Sequence, residues 1–255
     1  MSLFYSTLEL RNKEGNAVKL YGYWRSSAAY RVRIALNLKQ IQAEQFSIHL
    51  VKNGGEQHSE VFRQLNPQSL VPALSIAPNQ LHQSEKTRQA SAEGQPSPSQ
   101  LEDEQILTQS LAIIEYLDEA FPAPSLLPQT AWERAQVRSL SYAIACDIHP
   151  LNNLRVLQYL TGELGVDEQR KNAWYLHWIQ SGFAAIEQML VKQSGQYCFG
   201  DQVTMADICL IPQVYNAERF HVDMAPYPHI QRIYQTCNQL DAFINAQPER
   251  QADAI

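Results

Sequence analysis

Three short segments of the chain carry hydroxyls, amides and cations where a turn of the backbone would make them binding groups. The first is Arg25-Ser26-Ser27-Ala28-Ala29-Tyr30-Arg31-Val32-Arg33-Ile34-Ala35-Leu36, in which two serines stand between a strand-like run and an apolar stripe of helical spacing. Hydroxyls at a helix start lie beside backbone N–H groups without intrahelical partners and beside the positive end of the dipole. Such a place stabilises an anion and lowers the pKa of a thiol held there. A plain serine N-cap with a solvated arginine face accounts for the same residues.

The second segment is Asn66-Pro67-Gln68-Ser69-Leu70-Val71-Pro72-Ala73-Leu74. Proline at the first residue of a strand is often only an edge feature. A cis Val71–Pro72 bond would turn the Val71 backbone outward, where its N–H and C=O can clasp an extended peptide. The third is Gln109-Ser110, two polar residues opening an apolar helix directly after a strand. Capping explains Ser110 alone, whereas capping plus carboxylate binding explains the pair. Together the three segments offer an anion site, a peptide edge and a carboxylate cradle.

The elements that must position them follow from periodicity and punctuation. Strands are expected over 19–24, 46–50, 71–76 and 106–108, and helices after Ser26-Ser27, near 59–65 and over 109–120. The order β-α-β-α-β-β-α describes an α/β domain over 19–121, thioredoxin-like in size. An insertion at 77–105 lacks aromatic residues and is rich in Gln, Ser, Glu and Pro, so it cannot bury enough apolar area to offset its ordering entropy and is expected to be disordered. Beyond a proline-punctuated linker the pattern is helical throughout. An all-α domain is expected over 126–248, with helices at 132–160 (kinked at Pro150), 169–193, 204–218 and 228–239. Residues 1–18 form an extension and 249–255 a tail.

Composition excludes several classes. Twenty Lys+Arg against 26 Asp+Glu give a net charge of −6, which argues against coating nucleic acid or clinging to anionic membrane. No apolar run approaches the ~18–20 residues needed to span a bilayer. The start MSLFYSTLELRNKEG lacks a cationic stretch leading into an apolar one, so a cytoplasmic protein without a secretory signal is expected. Cys146, Cys198, Cys209 and Cys237 form no C-x-x-C pair and are expected to be small buried residues. The seven histidines show no H-x-x-x-H or H-E-x-x-H spacing, so no metal site is expected. Thr204 and Asp207 have capping-box spacing, a structural role.

In order and spacing, the segments resemble the glutathione-binding domain of cytosolic glutathione transferases. R-S-S-x-x-x-R-V-R-I-A-L is similar to the motif of the zeta class, the maleylacetoacetate isomerases. Val-Pro-Ala-Leu, Thr-Gln-Ser-Leu-Ala-Ile-Ile-Glu-Tyr-Leu, Thr-Met-Ala-Asp and Pro-Gln-Val-Tyr-Asn-Ala-Glu-Arg-Phe extend the likeness over about Lys19 to Pro248. The resemblance implies a thioredoxin-like N-terminal domain, an all-α C-terminal domain, glutathione as cofactor and a homodimer. It assigns Ser26 to the glutathione sulfur, with Ser27 and the helix start assisting. Gln57 falls to the glycyl carboxylate, Val71 with Pro72 to the cysteinyl unit, and Gln109 with Ser110 to the γ-glutamyl carboxylate. Asn153 lines the site, His149 stands where a glutamine is common, and Arg219 anchors a substrate carboxylate.

The implied activity is glutathione-dependent cis–trans isomerisation of a small dicarboxylate such as maleylacetoacetate, in aromatic amino-acid catabolism. Maleylpyruvate isomerisation, glutathione transfer to α-halo acids, and a non-catalytic interaction protein of the same fold are the alternatives. One departure stands out. The zeta motif usually reads Ser-Ser-Cys, and here the third residue is Ala28, so chemistry that uses that thiol is in doubt whereas isomerisation, which needs only the glutathione thiolate, is still expected.

Overall fold

A computed structural model of the chain describes residues 17–77 and 104–254. The expected extension (1–18) and insertion (77–105) fall, apart from their bordering residues, outside the described part. The chain divides into two compact units, one made of the described residues of Met1–Ala120 and Asn245–Ile255, the other of Phe121–Ile244.

The first unit is thioredoxin-like. Strands β1 (Ala17–Gly22), β2 (Glu44–Ser47), β3 (Ala73–Ala77) and β4 (Gln105–Thr108) form a sheet in the order β2-β1-β3-β4, with helices α1 (Ser27–Leu38), α2 (Glu60–Leu65) and α3 (Ser110–Ala120). β1 and β2 are parallel, and β3 runs antiparallel to both β1 and β4. Val18, Leu20 and Tyr21 of β1 are buried, as a central strand requires. Tyr21, Ile48, Phe62, Leu65 and Ala73 make one core cluster, against which Phe46, Val71 and Ile106 pack. Gly22 lets α1 approach the end of β1, since a Cβ there would lie 3.2 Å from the Ala29 Cβ.

The four strands stand where the periodicity places them, but their limits are shifted by up to three residues, with only the end of β4 at Thr108 unchanged. β2 ends at Ser47, although the Ile48 N–H still donates to the Gly22 C=O at 2.7 Å, and β3 begins at Ala73, after Pro72, which has no N–H to give to a ladder. Helix α1 also departs from expectation. Arg31 and Arg33 are buried, not solvated, and only Arg25 is exposed. A helix covered on most sides has little room for a solvated face.

The second unit is all-α. It holds α4 (Ala131–Tyr142), α5 (Leu154–Gly162), α6 (Glu168–Gln193), α7 (Met205–Arg219), α8 (Pro228–Cys237) and the short α9 (Asp241–Ile244). The single helix expected over 132–160 is broken. After α4 the chain widens into a π-turn, Ala143–Ile148, and then tightens into a 3-10 turn, His149–Asn152. Pro150 has no N–H to continue the helix, and Asn153, extended at φ −65°, restarts it by accepting from the Arg155 N–H at 3.1 Å. Ile148 lies against α6 at Gly182, where a Cβ would stand 2.3 Å from its Cδ1.

Helix α7 carries Arg219 at its last residue and is buried along most of its length. Its start is a capping box. Thr204 accepts from the Ala206 N–H, and the fully buried Asp207 accepts from the N–H groups of Thr204 and Cys198, each at 2.8 Å. Burial raises the Asp207 carboxyl pKa, and the bonds from Cys198 and Thr204 pull against it. Among the described residues no helix is long and apolar enough to cross a membrane. Removing the Asp207 carboxylate strands two buried N–H groups and a helix cap. Asp207→Ala is therefore expected to destabilise the protein by about 2–4 kcal/mol, read as a lower denaturant midpoint.

Candidate active site

Sheet register brings the first-unit residues to one edge. Tyr21 pairs with Ala73, and Ala73 pairs with Thr108, so the C-terminal ends of β1 and β4 and the N-terminal end of β3 share one row. Ser26 follows the end of β1, Val71 precedes the start of β3, and Gln109-Ser110 follow the end of β4. Gly22 pairs with Ser47 in β2, so the loop bearing Gln57 also leaves from this edge.

Ser26, and not Ser27, is the N-cap of α1. Its Oγ accepts from the Ala29 N–H at 3.2 Å, leaving its O–H to donate elsewhere. Ser27, the first helical residue, is buried. Ala28 is half-buried at the second helical position, where the N–H has no intrahelical partner. The backbone N–H and C=O of Val71 make no hydrogen bond within the described residues, which leaves an edge ready for an extended peptide.

Gln109 adopts φ 70°, a left-handed conformation that costs a non-glycine residue on the order of 1 kcal/mol or more. Its Nε2 donates to Gln68 Oε1 at 2.7 Å. Ser110 opens α3, and its Oγ accepts from Arg31 Nη1 at 3.4 Å. Gln57 lies buried in the 3-10 turn Glu56–His58 with its amide directed into its own loop. Its Nε2 is 3.4 Å from the Leu50 C=O and 3.2 Å from His58 Nε2, and its Oε1 is buried without a partner among the described residues.

The remaining expected residues belong to the second unit. His149 opens the 3-10 turn, and Asn153, half-buried, caps α5. Arg219 is exposed at the end of α7, its guanidinium 5.1 Å from the centroid of the Phe220 ring. Phe220 stacks on Tyr175 with ring centroids 3.7 Å apart. Burial pushes the Tyr175 phenol pKa up, and the Arg219 charge pulls it partly back. The same stretch of α6 holds the 3-10 turn, because Trp174 Nε1 donates to the Leu151 C=O at 2.9 Å and Asn152 Nδ2 donates to the Tyr175 C=O at 3.2 Å.

Sequence reasoning missed several of these supports. Arg31 reads as a surface cation, yet it is 1% exposed and ties the start of α3 to α1. Gln68 lies inside a quoted motif, but its pairing with Gln109 crosses from one loop to another and leaves no local signal. Tyr175 supports the neighbourhood of Arg219 only through its stacking on Phe220, 45 positions along the chain, which leaves no local signal. Cys146 is exposed, contrary to the expectation for all four cysteines, because it lies on the outer side of the π-turn. Burial raises the thiol pKa values of Cys198 and Cys237, so neither supplies a thiolate near neutral pH.

Known proteins give this geometry a family. Residues 25–120 match the model of the glutathione S-transferase N-terminal domain, and residues 166–236 match that of the C-terminal domain. The chain is 50% identical over 235 residues to the protein named "Probable maleylacetoacetate isomerase" of Vibrio cholerae, covering 92% of this chain and 97% of that one. It is 43% identical to a holo structure of maleylpyruvate isomerase, described as a bacterial zeta-class glutathione S-transferase, with a TM-score of 0.78 and coverage of 93% and 100%. A maleylacetoacetate isomerase of Anaeromyxobacter dehalogenans, crystallised with dicarboxyethyl glutathione and citrate in its active site, is 34% identical with a TM-score of 0.75, covering 94% and 98%. With likeness running through both units and nearly the full length of these proteins, the chain belongs to the zeta class of the glutathione S-transferases, the family of the maleylacetoacetate isomerases.

Proposed function

We propose that this protein is a cytoplasmic, homodimeric, glutathione-dependent cis–trans isomerase of a small unsaturated dicarboxylate, with maleylacetoacetate as substrate. The observation that carries the reading is the Ser26 turn, a hydroxyl with its proton free at the start of α1, on the same sheet edge as the unpaired Val71 backbone. These residues suit a peptide thiol with carboxylates at both ends. Bound there, glutathione supplies a thiolate that adds to the cis double bond and leaves after rotation about the resulting single bond.

Each protein group has a defined task. The Ser26 O–H donates to the sulfur, and Ser27 with the helix N-terminus stabilises its charge. Val71, entering the cis bond with Pro72, clasps the cysteinyl unit through its backbone. Gln109 and Ser110 take the γ-glutamyl carboxylate at the start of α3. Gln57 takes the glycyl carboxylate through its Nε2 once the amide turns away from the Leu50 C=O and His58 Nε2 that it meets in its own loop. Asn153 assists in holding the cofactor. Arg219 offers its planar fork to a substrate carboxylate, with His149 as a second substrate contact. Ala28 in place of the usual cysteine leaves this scheme intact, because the nucleophile belongs to glutathione.

The Anaeromyxobacter relative's ligand, which joins glutathione to a small dicarboxylate, supports this chemistry. Four free cysteines, none in a disulfide, accord with a reducing cytoplasm. Maleylpyruvate isomerisation is the second reading, favoured by the likeness to that zeta-class structure; relative turnover on the two substrates separates them. The homodimer draws support from an exposed stripe along α4 and the π-turn, formed by Trp132, Ala135, Ser139, Tyr142 and Cys146 at helical spacing. Trp132 is 73% exposed, which is unusual for so large an apolar side chain.

Three outcomes test these assignments. Ser26→Ala should raise the pKa of bound glutathione, followed by thiolate absorbance against pH. Turnover near neutral pH should fall about ten- to a hundredfold, as loss of a hydrogen bond to a charged atom implies. An unchanged thiolate titration would sink the role. Arg219→Ala should raise KM for the dicarboxylate while glutathione affinity stays near that of the parent protein, and an equal loss of glutathione binding would place the residue elsewhere. Trp132→Glu should convert a sedimenting dimer to monomer.

A further inference from the structure

The turn that presents Ser26 runs through Tyr23, Trp24 and Arg25 and is closed by the Ser26 N–H donating to the Tyr23 C=O at 2.9 Å. One internal bond leaves the peptide groups of the second turn residue in need of other partners, the more so when that residue is buried, as Trp24 is. Its partners come from a segment distant in sequence. Asp253 Oδ2 accepts from the Trp24 N–H at 3.1 Å, and the same oxygen accepts from Ser47 Oγ at 2.8 Å. The Trp24 C=O accepts from Arg33 Nη2 at 2.9 Å, and Arg33 Nε donates in turn to the Ala246 C=O at 3.0 Å.

Both peptide groups of Trp24 are thus held, one directly by the segment Asn245–Ile255, the other by a buried arginine that this segment also fixes. The Ser47 arm matters because it ties the same carboxylate to β2, whose Ser47 pairs with Gly22 at the end of β1. Asp253 therefore bridges the last residue of β2 and the turn that leaves the neighbouring β1. A hydrogen bond weakens steeply as its angle closes, and a misplacement of about 1 Å can cost roughly a hundredfold in rate, so the rigidity of this turn bears on the chemistry.

We propose that Asp253 is a positioning residue for catalysis: by holding the Trp24 peptide it fixes the turn on which Ser26 meets the glutathione sulfur. The inference rests on the reading of Ser26 given above. It adds a segment outside the three sequence motifs to the machinery that sets the reactivity of the cofactor.

The test reads thiolate absorbance of bound glutathione against pH, turnover, KM for the dicarboxylate and thermal midpoint in the full-length protein. Asp253→Ala should displace the thiolate titration upward and lower turnover near neutral pH by about three- to tenfold, with KM for the dicarboxylate unchanged. Asp253→Asn keeps an acceptor for the Trp24 N–H and should restore most of both. A fall in thermal midpoint with titration and turnover unchanged would make Asp253 merely structural and overturn the inference. Asn as damaging as Ala would also overturn it, since the carboxylate would then act by charge. Should Asp253→Ala fail to fold, Asp253→Ser, too short to span the contact, must show the same displacement. Ser26→Ala separates the two claims. If it leaves the titration in place, the reading of Ser26 fails; if it shifts the titration and Asp253→Ala does not, only the positioning role fails.

Discussion

The arrangement depends on the register of three strands. Because β1 and β4 run one way and β3 the other, Tyr21, Ala73 and Thr108 form a single row across the sheet. Three chain segments leave or enter the sheet at that row, and these carry Ser26, Val71 and Gln109-Ser110. Leu20 and Tyr21, like Ala73 and Leu74, are neighbours that point to opposite faces and are buried on both, so a slip of one residue would exchange side chains of different size between two packed faces, and that packing enforces the register. Hydrophobic burial with no chemistry of its own thereby places the polar groups that have chemistry.

Buried cations then fix what the register has gathered. Arg31 ties Ser110 to α1, and Arg33 ties Trp24 to the segment at Ala246. A guanidinium is suited to this work because several N–H groups in a fixed plane can hold separate acceptors at once. Lys39, also buried, pairs with Asp118 at 2.7 Å and joins the far ends of α1 and α3. Such a pair carries a desolvation cost, and its value here is geometric: both helix N-termini are held while their C-termini are pinned.

In the second unit, a local failure of helical geometry does the corresponding work. The π-turn and 3-10 turn between α4 and α5 redirect the chain so that His149 and Asn153 leave the regular helical surface. Interruptions of this kind are frequent at functional sites, because they free side chains and backbone groups that a continuous helix would commit. Neighbouring helices stabilise the break, with Ile148 at Gly182 and the Leu151 and Asn152 backbone and amide groups bonded to Trp174 and Tyr175. Tyr175 also stacks on Phe220, next to Arg219, so one stretch of α6 supports two of the expected substrate-side elements.

Much of this is written in the chain itself. The βαβαββα order, the serine start of α1, the capping box at Thr204 and Asp207 and the proline entry to β3 rest on propensity, periodicity and side-chain-to-backbone bonds within a few residues. Which serine caps α1 was beyond it, since Ser26 and Ser27 are equally good caps and only the extended backbone at Ser26 decides. The burial of Arg31 and Arg33, the Gln68–Gln109 bond, the inward turn of the Gln57 amide and the break of the 132–160 helix were beyond it for a related reason. Each depends on a partner far along the chain or on the packing of a neighbouring helix. Local sequence records what a residue can do, whereas the partner that makes it do so is supplied by the fold, as at Trp24, whose N–H is met by a carboxylate from Asp253.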